Sequence, residues 1–188
     1  MYEIVIIGGG PAGGSAALFA AKAGKKTLLL DSNKSMTARA WMENHYGVAA
    51  ISGPDMLEVG RKQAGKFGAE IKEETVANIT GEAGSFVIET ESGAKYEAGH
   101  IIIATGALTN LAEGLGIETK DHREPRFKTA IAVNADGETN RKGIWAAGAV
   151  AGVSVHTIVT AGDGARVAIN VISEINGERY VDHDLLKA

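Results

Sequence analysis

The chain contains no cysteine. A disulfide, a thiolate nucleophile, an iron–sulfur cluster and a thiolate zinc site are therefore excluded within its 188 residues. It has no basic stripe either. Lys and Arg are scattered and the net charge is −4, so the charge pattern gives no hold for nucleic acid. No apolar run reaches the length of a membrane span. The start of the chain, with acidic Glu3 and a short apolar run that turns at once into glycines, does not have the form of a secretory leader. A cytoplasmic protein without a membrane partner is the expectation. The five histidines stand apart, with no pair at metal-ligand spacing. Asp182-His183-Asp184 reads as a solvated terminus rather than a metal triplet.

Glycine, by contrast, is plentiful, with 25 residues placed mainly where strands end. Ile4-Val5-Ile6-Ile7 is an apolar run closed by three glycines, the signature of a buried parallel strand. Gly13 to Ala23 is alanine-rich and free of proline, which favours a closely packed helix. Thr27 to Leu30 is a second apolar strand ending at Asp31. Together these make one βαβ unit. After a polar stretch, Ser32 to Gly47, Pro54 with Asp55 and Glu58 marks a helix start, and that helix stops at Gly68. Glu70 to Ile79, Ser85 to Thr90 and Lys95 to Ala98 alternate and read as an antiparallel meander. Ile101 to Ala104 is another buried strand. Leu108 to Arg141 is a polar connector with one apolar stretch, Ala130 to Val133, and Ile144 to Ala147 is a last short strand. Ala168, Val171, Ile172 and Ile175 line one face of a final helix expected over roughly Gly164 to Ile175. No repeat or linker divides the chain, so residues 1–188 are expected to form one α/β domain. Its mostly parallel central sheet would carry helices on one face and a small antiparallel meander on the other.

Gly8-Gly9-Gly10-Pro11-Ala12-Gly13 fits G-x-G-x-x-G in the context that motif requires: a strand before it, a helix after it, and an acid ending the next strand. Gly8 allows the tight turn, Gly10 lets a pyrophosphate approach the backbone, and Gly13 lets the helix pack closely on the strand. Unpaired amides at the helix start, aided by the helix dipole, hold the anion. Asp31 is placed to accept hydrogen bonds from the ribose hydroxyls, and its charge argues against a 2′-phosphate. The motif does not by itself separate FAD from NAD.

Later segments point to one family. Ile101 to Ala107 resembles the strand-ending Ala-Thr-Gly motif of the two-dinucleotide-binding flavoproteins, and Gly143-Ile-Trp-Ala-Ala-Gly148 resembles their second FAD motif. Glu43-Asn44 with Gly47, Gly53-Pro54, Gln63 to Glu70, Asn134 to Gly137 and Thr160 to Ala165 are similar to the thioredoxin reductases. That resemblance implies a Rossmann-like FAD-binding fold with FAD as cofactor. It also implies that Asn44 contacts the cofactor, that Val76 offers backbone to the adenine, and that Ala104, Thr105 and Gly106 lie along the FAD. Gly148 would sit beside the ribityl chain, and His156 and Thr157 would face the pyrimidine end of the flavin. The last helix would aim its N-terminus at the flavin, where it stabilises the negative charge of the reduced ring.

Three departures limit what the resemblance implies. The NADPH domain of a thioredoxin reductase is replaced by the connector Leu108 to Lys142, with no second glycine fingerprint. The redox Cys-x-x-Cys pair is absent. The family's Gly-Asp at the second motif is Gly148-Ala149 here, and the lost hydrogen bond costs about 1–3 kcal/mol. The expectation is an FAD-dependent oxidoreductase, with no catalytic side chain assigned. It would draw electrons from a redox partner protein or a small-molecule electron donor. The alternatives are a non-catalytic FAD-binding module and an NAD or adenine-nucleotide binder. Without an NADPH domain the flavin would be exposed on one face or covered in a homodimer. Arg39 is read as solvated or paired with pyrophosphate or substrate, Trp41 as ordinary packing or a stacking surface at a cofactor or dimer, and Asp163 as the cap of the final helix.

Overall fold

In the computed structural model of the chain, which describes residues 1–186, the run Ile4 to Ile7 forms most of β1 (Tyr2–Ile7). Successive side chains on a strand point to opposite faces, and here both faces are buried. Ile4 and Ile6 enter one core, Val5 and Ile7 the other, so the run is continuously apolar rather than alternating. α1 (Pro11–Lys22) follows with proline in its first turn, then β2 (Thr27–Asp31), parallel to β1. Short β3 (Trp41–Met42) and β4 (Ile51–Ser52) pair antiparallel. α2 (Gly53–Lys66) is capped by Ser52, whose Oγ accepts the Asp55 amide at 3.2 Å. Next come β5 (Glu70–Glu73), β6 (Val76–Thr80), β7 (Phe86–Thr90) and β8 (Lys95–Ile103). The chain continues through α3 (Asn110–Gly114), the hairpin of β9 (Thr119–Asp121) and β10 (Thr129–Ile131), β11 (Ile144–Ala146) and α4 (Thr157–Asn176).

The central sheet runs β5-β2-β1-β8-β7-β6, with β11 also on β8. β8 is a fork. β1 runs along one side of it, while the other side takes β7 antiparallel at Lys95 to Ala98 and β11 parallel at Ile101 to Ile103. This is the expected α/β class, a mostly parallel sheet with a small antiparallel meander. On the helical face, Ala16, Ala17 and Ala20 of α1 are fully buried with Val167, Ala168, Val171 and Ile172 of α4. The opposite core gathers Phe86 and Ile88 from the meander with Ile101, Ile103, Ile131 and Ile144. Each fully buried branched side chain contributes roughly 1.5–3 kcal/mol. The helical layer is thin because two glycines bring main chain onto main chain. A Cβ at Gly13 would lie 1.8 Å from the Gly8 carbonyl oxygen, and one at Gly164 would lie 2.0 Å from that of Ala12.

The structure corrects several expected boundaries. Glu70 to Ile79 is not one meander strand. β5 joins the parallel sheet beside β2, and only β6 belongs to the meander. A half-buried edge strand alternates in the same way in either setting, so its pattern cannot tell them apart. Lys95 to Ala98 and Ile101 to Ile103 are one strand, because Gly99 passes through the ladder without breaking it. The connector holds α3 and the β9–β10 hairpin. α4 begins at Thr157, well before Gly164, since Gly162 and Gly164 lie inside the helix rather than ahead of it.

Those two glycines separate packing from propensity. Gly164→Ala drives a methyl into the Ala12 backbone, an overpacking cost of about 1–3 kcal/mol, and is expected to lower Tm by roughly 2–12 °C in calorimetry. Gly162, with nothing within 4 Å of its Cβ position, is expected to respond the other way: Gly162→Ala gains about 0.5–1 kcal/mol.

His100 carries a pH dependence. Its Nδ1 is buried at the β8 fork without a partner. Burial holds its pKa below the ordinary value, with Lys142 adding to the effect and Glu174 opposing it. The folded chain then binds fewer protons at this site than the unfolded chain, whose histidine titrates near ~6.5. Its contribution is present above that pH and is lost as pH falls below it. His100→Phe is expected to flatten the urea-midpoint profile below about pH 6.5.

Candidate functional site

β1, β2, β8 and β11 are parallel and end in register, with Ile7 beside Leu30 and Ile103, and Ile103 beside Ala146. In open parallel sheets this edge is where ligands bind. Two cavities open along it, of about 170 and 250 Å³. The first is lined by Gly8, Asp31, Val76 and Thr105, the second by Pro11, Ala12, Met36, Phe127, Thr157 and Thr160. Gly10, Ser35 and Ala104 line both, which makes them two lobes of one cleft meeting at the start of α1.

The glycines of the turn serve different ends. Gly8, at φ +107°, occupies left-handed backbone space, and a Cβ there would lie 2.4 Å from the Ala104 carbonyl oxygen. At Gly9 a Cβ would strike the Asp31 carboxyl, and at Gly13 the Gly8 carbonyl. Only at Gly10 does the missing side chain leave room, with Ser35 Oγ the sole neighbour at 3.2 Å. Gly10 therefore presents bare backbone where the lobes join. No side chain caps α1 there and no acid stands in its first turn. Its opening amides and positive dipole end are available to an anion.

Asp31 is 5% exposed. Its Oδ1 accepts the amides of Asn33 at 2.9 Å and Gly9 at 3.3 Å. Its Oδ2 is held by the Arg61 guanidinium at 2.6 Å, and Arg61 also donates to Asn33 Oδ1 at 2.8 Å. The acid at the end of β2 is thus tied to α2 as well as to the glycine turn.

At the far lobe α4 starts uncapped by any side chain. Thr157 Oγ1 lies 3.1 Å from His45 Nδ1. The Gly148 amide donates to Asp163 Oδ2 at 2.7 Å, and Arg166 pairs with the other oxygen of Asp163 at 2.8 Å. Asp163 is therefore not the cap of α4. It sits in the second turn, because the helix starts earlier, and it ties the loop after β11 to that helix.

Of the residues singled out from sequence, Gly8, Gly10, Asp31, Val76, Ala104 and Thr105 line the first lobe, and Pro11, Ala12 and Thr157 line the second. Gly13 and Gly148 lie behind the wall, against Gly8 and Ala12. Gly106 is exposed beyond Thr105. Asn44 is exposed and lines neither lobe, while its neighbour His45 reaches α4. His156 precedes α4 with Nδ1 2.8 Å from Ser154 Oγ, outside the lining. Arg39 is exposed. Trp41 is 66% exposed and so is not core packing. Sequence reading missed Arg61, Ser35 and Phe127. Arg61 and Phe127 meet the cleft only through the tertiary fold. Ser35 carries a local signal, a serine ahead of the single-turn helix Met36–Arg39 whose Oγ accepts the Thr37 amide.

Compared with known proteins, residues 2–130 match the family described as pyridine nucleotide-disulphide oxidoreductase. The chain is 35% identical over 112 residues to the thioredoxin reductase of Aquifex aeolicus (strain VF5), covering 57% of this chain and 35% of that protein. It is 37% identical over 122 residues to that of Rickettsia bellii (strain RML369-C), covering 63% and 38%. The chain thus spans little more than a third of these curated relatives. Among solved structures it is similar to a thioredoxin reductase from Gloeobacter violaceus, with TM-score 0.81 and 19% identity over 98% of this chain and 99% of that one. It is also similar to the atypical thioredoxin reductase TRi from Desulfovibrio vulgaris Hildenborough, with TM-score 0.76 and 21% identity over 95% and 99%. Identities this low establish a shared fold.

The Asp31–Arg61 pair is expected to be measurable without any ligand. Arg61 is 35% exposed at its side chain, and two amides still hold Asp31 without it. Arg61→Ala should therefore cost about 1–2 kcal/mol rather than the roughly 3–5 kcal/mol of a fully buried pair. A double-mutant cycle with Asp31→Ala in urea is expected to give a coupling of about 1 kcal/mol. Additive losses would show that the two side chains do not support each other.

Proposed function

The chain belongs to the pyridine nucleotide-disulphide oxidoreductase family, and from that premise we propose that it is a single FAD-binding domain whose flavin carries out the redox chemistry. The observation that carries the reading is the continuity of the two lobes through Gly10, Ser35 and Ala104, with helix starts at the join and at the far end. A dinucleotide has this form: adenosine, a doubly charged bridge, then a second ring system. The residues fit the group. Bare backbone at Gly10 leaves room for the pyrophosphate, and the opening amides of α1 hold it. Asp31, oriented by Arg61 and the Gly9 amide, takes the ribose hydroxyls, and Val76 and Thr105 flank the adenine. Met36, Phe127 and Thr157 bound the second ring, and the dipole of α4 favours negative charge beside it.

Bound flavin supplies two-electron chemistry that no side chain of the chain has. Thiol–disulphide exchange is outside its reach, since it has no cysteine. Electrons come from a redox partner protein or a diffusible donor. A homodimer covers the exposed apolar side chains Trp41, Tyr46, Ile158 and Val159. The far end of the cofactor is held less firmly than the near end. Position 149 offers only a methyl, and the Gly148 amide is already committed to Asp163.

The purified or reconstituted protein is expected to be yellow and to bind FAD at least about tenfold, roughly 1.4 kcal/mol, more tightly than FMN, measured by flavin fluorescence titration. Gly10→Val should abolish FAD uptake while the circular dichroism spectrum is kept. Anaerobic bleaching of the loaded protein by NADH, NADPH or a reduced redox protein identifies an enzyme. No bleaching with any donor identifies a binding module. A colourless protein that takes up NAD but no FAD would overturn the flavin reading in favour of an adenine-nucleotide binder.

A further inference from the structure

The connector between β8 and β11 does more than join them. Residues 122–128, between β9 and β10, form a loop closed by the His122 amide on the Lys128 carbonyl at 3.1 Å. Three contacts fasten this tip to the segment that joins β11 to α4 along the second lobe. His122 Nδ1 accepts the Glu124 amide at 2.9 Å, so its proton is on Nε2, which donates to the Ala149 carbonyl at 2.8 Å. Glu124 Oε1 accepts Ser154 Oγ at 2.8 Å and the Val155 amide at 3.4 Å. The anchors thus lie at the two ends of that segment, one in the turn after β11 and the other just ahead of α4. Between these anchors the Phe127 ring stacks on His122, with centroids 4.8 Å apart and planes at 26°, and lines the lobe beside Ala149 and Thr157.

We infer that the connector tip is a built wall of the cleft, with Phe127 as the residue that decides what reaches the ring held there and His122 and Glu124 as positioning residues that hold Phe127 in place. The inference rests on flavin occupying the second lobe. It adds to the expected choice between a bare flavin face and a dimer-covered one a third arrangement, in which the chain covers one side of the lobe itself. The wall is apolar and aromatic on its cleft side. Its outer side carries Arg123, Arg126 and Lys128, all exposed.

The test uses the full-length protein with FAD. In the first arm, FAD is expected to slow tryptic cleavage after Arg123 and Arg126 at least fivefold, with cleavage after Arg179 unchanged. In the second, acrylamide quenching of bound-flavin fluorescence is expected to rise at least threefold in Phe127→Ala and by an intermediate amount in Phe127→Leu and Glu124→Gln. Phe127→Tyr should restore the native value. If Phe127→Ala does not fold, the milder variants decide. Failure of the unaltered protein to take up FAD would sink the flavin reading and this inference together. FAD uptake with unchanged proteolysis and equal quenching in all variants would overturn the wall alone.

Discussion

The site depends on two places where main chain rests directly on main chain. At Gly13, α1 lies against the carbonyl that ends β1, and at Gly164, α4 lies against the first turn of α1. Neither contact tolerates a side chain. Together they fix the start of α1 relative to the sheet edge and the start of α4 relative to α1. Helix ends are useful as charge-bearing groups only when their position is fixed, because the dipole effect fades within a turn. The alanines of α1 and the valine, alanine and isoleucine face of α4 then follow as packing consequences, since small residues let the two axes close.

A second consequence concerns how acids are used. Two buried carboxylates stand near the cleft, Asp31 and Asp163, and each is paired with an arginine and at least one amide. In both cases a buried charge that would be costly alone is stabilised by geometry that also ties separate segments together. Asp31 joins the glycine turn to α2, while Asp163 joins the loop after β11 to α4. Arg166 extends that second tie, donating to the Ala135 carbonyl, and Asn170 reaches the Asp136 carbonyl at 2.9 Å. The loop Asn134 to Gly137, singled out from sequence as part of a family pattern, is thereby attached along α4.

The sequence and the fold agree most closely where one short segment determines its own outcome. β1, the glycine turn, α1 and β2 are legible because a doubly buried strand must be apolar throughout and because each turn glycine answers to a local steric demand. Agreement fails where partners are distant. Nothing near Glu70 shows that β5 pairs with β2 rather than with the meander. Nothing near Arg61 announces Asp31. α4 starts earlier than its glycines suggest, because glycine usually signals a break. Gly164 is instead a contact residue, and its reason lies across the structure at Ala12. For Asn44 and His156 the expectation rests on resemblance alone, and the fold shows only their surroundings. Here one is solvent-exposed and the other turns to Ser154, because the neighbouring His45 and Thr157 make the contact between those two segments.

The relation between the connector and the second motif brings these points together. In the family pattern an aspartate follows Gly148 and a whole domain fills the gap after β8. This chain has alanine and a hairpin. The two segments meet at one atom: the carbonyl of Ala149 accepts a hydrogen bond from His122 Nε2 at the hairpin tip. Residue 149 is therefore an anchoring point for the hairpin that lies between β8 and β11. Around Ala149 the lobe mixes the Phe127 ring with hydroxyl-bearing Ser35, Thr37, Thr157 and Thr160. Position 149 and the connector are thus coupled through one main-chain atom, and the hold that this carbonyl gives the hairpin tip does not depend on which side chain residue 149 carries.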